Sequence, residues 1–137
     1  MDTEEALRLF KENINKHEDQ LFGIILYYEG ICTMYSGQKE IIEANRKAFQ
    51  NIIKRGEKAI REAKQLVQEV QSEPNKVKKL QMFRFPPISG HPMLDQVSER
   101  VRILVETYDR LFPGRPRGKP LTDNEHTLLM KEAASRY

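Results

Sequence analysis

A single cysteine, Cys32, stands in the sequence. No internal disulfide can form, which excludes a secreted disulfide scaffold and every zinc ribbon or finger built on paired cysteines. Tryptophan is absent, and glycine and proline number seven each in 137 residues. That is too few for a collagen-like or low-complexity chain. No long apolar run occurs either. The most apolar stretch, Leu21 to Tyr35, is interrupted by Gly23, Glu29 and Gly30 and falls short of the ~20 residues that span a bilayer. No basic-then-apolar leader opens the chain. These absences predict a soluble protein of a reducing intracellular compartment, cytoplasmic or nuclear, with no membrane span.

Charge is plentiful and unevenly placed. The chain carries 23 basic and 20 acidic side chains. Residues 1–37 hold seven acids against three bases, and residues 38–71 hold eight bases against five acids. Two such segments attract each other when they lie side by side, which steers pairing more than it stabilises it.

Apolar residues in the first half recur at spacings of three and four. One row runs Leu7, Ile14, Leu21, Tyr28, Tyr35, Ile42, Phe49, Gly56, Ala63, Val70; the other runs Phe10, His17, Ile24, Ile31, Gln38, Asn45, Ile52, Ala59, Leu66. A sustained heptad predicts long helices. Asp2 and Thr3 are candidate N-caps, Glu4 and Glu5 suit the first turn, and Ser72-Glu73-Pro74 marks the stop. Two arrangements fit: one continuous helix, or an antiparallel hairpin turning at Ser36-Gly37. Folding about that midpoint sets Leu7 against Leu66, Phe10 against Ala63, Ile14 against Ala59, His17 against Gly56, Leu21 against Ile52 and Tyr28 against Asn45. Large residues then meet small ones, and the aromatic residues on the seam suit a parallel two-stranded dimer poorly. The hairpin is the favoured reading, with the His17 ring filling the space left by Gly56.

The first helix has more apolar surface than one seam explains. Phe22, Ile25, Leu26 and Cys32 lie off the heptad rows. They are the candidate partner interface, to be covered by a third helix, a second subunit or another protein.

Residues 72–92 form a basic, aromatic, proline-containing segment, predicted to be an extended strap, with Lys78, Lys79, Phe83, Arg84 and Phe85 as its notable side chains. Val97, Val101, Leu104, Val105 and Tyr108 trace an amphipathic helix over 93–112, ended by Pro113-Gly114. Thr122 with Glu125 three residues on predicts a capping box that opens a short last helix. The expected architecture is therefore all-α: a hairpin over 1–71, the strap over 72–92, and two shorter helices over 93–137.

No catalytic constellation appears. His17, His91 and His126 do not share metal-ligand spacing, no glycine-rich phosphate loop precedes a helix, and there is no nucleophile elbow. No enzyme activity, cofactor or metal is expected. The loop Arg115-Pro116-Arg117-Gly118-Lys119-Pro120 resembles the AT-hook, whose core is Arg-Pro-Arg-Gly-Arg-Pro, with lysine at Lys119 in place of the second groove arginine. The resemblance covers six residues. It implies that Arg117 and Lys119 enter an A·T minor groove and that Arg115 meets phosphate. Lys78, Lys79 and Arg84 would add phosphate contacts beside the strap aromatics. Lys47, Lys54, Lys58 and Arg61 fall near one face of the second helix, suited to solvent first and otherwise to an acidic partner or nucleic acid. Two functions follow as expectations. The first is a helical assembly or adaptor module binding protein through apolar helix faces. The alternative is a nucleic-acid-binding protein using the strap and the AT-hook-like loop.

Overall fold

Asp2 sets the first boundary: its carboxylate accepts the Glu5 backbone N–H at 2.7 Å and caps helix α1, Thr3–Met34. Helix α2 spans Lys39–Ser72 and stops before Pro74, which opens a short 3-10 turn, Pro74–Lys76. Helices α3 (Lys78–Met82), α4 (Pro92–Leu111) and α5 (Asp123–Ala134) follow. The structure is a computed structural model and describes residues 2–34, 37, 39–85 and 92–137, except the side chains at 41, 42, 45 and 92–98. Ser36 of the expected turn, the strap residues 86–91 and the contacts of Ile42, Asn45 and Val97 lie outside this set. Among the described residues there is no strand. The fold is all-α, and α1 and α2 pack together as a long helical pair within one chain.

The pair closes in a register one turn away from the midpoint pairing. Leu21 packs on Gly56, where an added Cβ would sit 3.0 Å from the leucine Cδ1, and the Tyr28 and Phe49 rings stack at 5.3 Å. In these two contacts the α1 residue meets α2 four positions further on than a fold about Ser36-Gly37 would place it, while Phe10 still shares a cluster with Ala63, as that fold would have it. Leucine, not His17, fills the space over Gly56. The core stripe of α2 widens beyond the heptad rows. Phe49, Ile52, Ala59, Ala63 and Val70 are buried on those rows, and Ile60 and Val67 are buried beside them. A straight helix drifts about 20° per heptad, which brings the next residue onto the buried side after several turns. Among the described residues, one exposed ion pair joins α1 to α2, Lys64–Glu18 at 3.4 Å. Packing, not the opposite charge of the two segments, fixes how they lie.

The strap is not wholly extended. Residues 74–76 and 78–82 are helical, because the prolines that forbid helix come later, and only Phe83–Phe85 run extended before residue 86. Glu69 anchors this segment by accepting from Lys76 at 3.0 Å and Lys79 at 2.8 Å. Phe83 meets Phe10 edge-on at 5.7 Å, and Phe85 stacks on His17 at 4.0 Å. Leu80 is buried in the same cluster as Phe10, Ile14, Ala63, Val67 and Val70.

Helices α4 and α5 cover the other side of α1. Gly23 makes room for Val101 and Val105: a Cβ there would lie 2.5 Å from Val101 Cγ1 and 3.3 Å from the Val101 carbonyl oxygen. Gly30 does the same for Met130. Leu26, Leu104, Tyr108, Leu129 and Ala133 close one cluster between the three helices. Gly114, at φ 75°, supplies the left-handed turn that ends α4.

Candidate functional site

Four residues were expected to offer α1 to a partner, and the structure divides them. Leu26 is 3% exposed beneath α4 and α5, so it belongs to the intrachain core and cannot serve a partner. Cys32 is half-buried. Phe22 and Ile25 are half-buried and line one groove. Phe22 also meets the Tyr108 ring edge-on at 4.8 Å.

The groove runs along α1 from Asn15 to Ile25, about three helical turns. Ile60, Glu57 and Arg61 of α2 form one wall, and Arg117 and Gly118 of the α4–α5 loop form the other. Leu21, Phe22, Ile25 and Ile60 give it an apolar floor, and its volume is about 540 Å³. Two of its carboxylates are already matched: Glu18 by Lys64 at 3.4 Å and Asp19 by Arg117 at 2.9 Å. Glu57 and Arg61 have no ion pair among the described residues.

The AT-hook-like loop spends its arginines on the fold. Arg115, with a side chain 17% exposed, pairs with Glu125 at 2.5 Å, donates to the Pro120 carbonyl at 2.9 Å and lies over the Phe112 ring. Glu125 completes the expected capping box: it accepts from the Thr122 backbone N–H at 2.9 Å while the Thr122 hydroxyl accepts from Glu125 N–H. That backbone hydrogen bond, aided by Arg115, holds the Glu125 carboxyl below the usual carboxylate range. Arg117 sits between Asp19 at 2.9 Å and Asp109 at 3.3 Å, with its guanidinium 4.5 Å from the centre of the Phe22 ring. It ties α1 to α4 through the loop. Lys119 alone of the three is exposed without an ion pair among the described residues.

The strap cations are divided in the same way. Lys79 is held by Glu69, Arg84 donates to the carbonyls of Gln81 and Phe83, and Lys78 is exposed. The two segments expected to grip nucleic acid together do not share a face. Phe85 lies over His17, and Arg117 over Asp19 and Phe22, on roughly opposite sides of a helix with 3.6 residues per turn.

Sequence reasoning missed Gly23 and Gly30 as seats for α4 and α5. Their signal was present: two glycines seven residues apart on one face of a helix that is apolar nearly all round. It also missed Ile60, Glu57 and Asn15 as groove residues, because a groove of this kind depends on register and on the position of a distant loop.

Among the described residues, no three His, Cys, Asp or Glu side chains converge as a metal site, and no helix is long and apolar enough to cross a membrane. No family model, no curated protein and no solved structure matches the chain.

Proposed function

We propose that this chain is a non-enzymatic helical adaptor that holds an amphipathic helix of another protein in the groove between α1 and α2. One observation carries the reading: Leu21, Phe22, Ile25 and Ile60 form an apolar floor, open to solvent and flanked by walls, whereas Leu26 beside it is covered by α4 and α5. A trough between two antiparallel helices is shaped for a third, whose apolar residues at i, i+3, i+4 and i+7 would seat along about three turns.

The test is a blocked groove. Asn15 is exposed and lines the groove, so Asn15→Trp fills it without removing a core side chain. A leucine-faced helical peptide should bind the wild-type protein and lose binding to Asn15→Trp, with the melting transition unchanged. Equal binding to both proteins would reject the groove. Association of the protein with itself, abolished by Asn15→Trp, would make a second copy the occupant instead.

A further inference from the structure

Helix α2 differs from its long neighbours in charge. It carries eight bases and five acids, whereas α1, α4 and α5 each hold more acids than bases. The excess is local. Residues 46–65 hold seven bases and two acids, a net charge of +5, while the whole chain is only +3. One stretch of one helix therefore supplies the positive field of the molecule, and the remainder of the chain is net negative.

The helix turns much of that charge one way. Phe49, Ile52, Ala59 and Ala63 are buried and Gly56 meets Leu21, so their side faces α1. With 3.6 residues per turn, Lys47, Lys54, Lys58 and Arg61 point within about 40° of the opposite direction. All four are exposed, and exposed Gln50, Asn51, Gln65 and Gln68 lie among and beyond them. No acidic, apolar or aromatic residue falls on this stripe; Glu57 and Glu62 stand at its two edges. Glu62 reaches Lys58 at 4.0 Å, an exposed pair that yields readily to a stronger anion. From Lys47 to Arg61 the cations span about 21 Å at ~1.5 Å per residue.

We propose that this stripe is a second binding surface, separate from the groove, and that its ligand is the phosphate backbone of a nucleic-acid duplex, held without regard to base sequence. The composition of the stripe selects among anions. A protein partner docks through an apolar centre with charges at its rim, and the stripe has no apolar residue to form one. A helix enters a lipid surface by its apolar face, and here that face is buried against α1. A single strand is held by stacking bases on aromatic rings, of which the stripe has none. Lysine, arginine and side-chain amides are the groups that contact duplex phosphates. Such a surface gains affinity from a ligand dense enough in charge to release condensed counterions, as a duplex does. Cations spread over about 21 Å reach phosphates on both sides of a major groove about 12 Å wide.

The experiment uses the full chain and a DNA duplex of about 20 base pairs, at several salt concentrations from about 50 to 200 mM. Arg61 also lines the groove beside Ile60, so it is left in place. The row variant combines Lys47→Gln, Lys54→Gln and Lys58→Gln. A control variant combines Lys11→Gln, Lys119→Gln and Lys131→Gln, which remove the same charge from exposed positions on α1, the α4–α5 loop and α5. All three proteins should melt alike. For the wild type, the logarithm of the affinity should fall with that of the salt concentration at a slope of about −3.6, from four phosphate contacts. The row variant should bind about tenfold or more weakly at the lowest salt, with a slope of about −1. The control should stay close to the wild type. Equal weakening of the row and control variants would reduce the effect to net charge and overturn the stripe. Tighter binding to a single strand, to polyglutamate or to phosphatidylserine vesicles, lost in the row variant, would assign the stripe to that ligand and overturn the duplex. Absence of duplex binding at the lowest salt would overturn the inference outright. The groove stands or falls separately, by Asn15→Trp.

Discussion

Leu21 and Gly56 show how one contact can set a register. The leucine is buried, and the hydrogen at Gly56 leaves a space that its methyl groups occupy. Leu21→Ala should cost roughly 2–5 kcal/mol, because the residue opposite has no side chain with which to refill the space. Denaturant midpoints would read this directly, and an unchanged midpoint would remove Leu21 from the core. Gly23 poses the opposite case. A methyl group there meets Val101 from side chain and carbonyl alike, so Gly23→Ala should destabilise by about 1–3 kcal/mol despite alanine's better helix propensity. A gain in melting temperature would show that α4 stands further off. Both glycines were visible in the sequence, but their meanings were not. Gly56 could be read as a small residue on the seam. Gly23 looked like a break in an apolar run, because a close approach by residues nearly eighty positions later leaves no local trace.

Two elements answer to tests of their own. The segment Phe83–Phe85 rests on α1 through Phe10 and His17. Burial, and secondarily Lys16, lowers the His17 pKa from its ordinary value of 6.5. The neutral ring is therefore favoured in the folded state. Its contribution is complete above about pH 6.5 and declines as pH falls through the folded-state value. Stability by urea denaturation should drop between pH 7.5 and the acid side of 6.5, and His17→Leu should flatten that part of the profile. An identical slope in the variant would place the titration elsewhere. The loop between α4 and α5 is latched by Arg115 and Arg117. Arg115→Ala should lower the melting temperature measurably, whereas Lys119→Ala should leave it unchanged. Equal effects would mean that the latch contributes nothing. The sequence yielded both helix caps, the stop before Pro74 and the hairpin itself, since capping and periodicity are local chemistry. It yielded neither the register of the pair nor the use of the loop arginines. A basic loop with proline and glycine reads the same whether its charges face solvent, phosphate or, as found, Asp19, Asp109 and Glu125.

At the scale of the whole molecule, α1 is the common support. One side carries α2, another the Phe83–Phe85 segment, and a third α4 and α5. That arrangement has a consequence in time. A ribosome releases Leu26 long before it releases Leu104, Tyr108, Leu129 and Ala133, which cover it. At roughly 5–20 residues per second, the delay is several seconds. Once Ser72 has emerged, and until α4 and α5 follow, a finished α1–α2 pair displays an uncovered apolar flank. A chain truncated after residue 85 should reproduce this intermediate and self-associate in gel filtration under conditions where the full chain runs as a single species. If the truncated chain stays monomeric, the flank collapses by itself. Otherwise the nascent protein passes through a sticky stage that a chaperone must shield or that rapid completion must outrun.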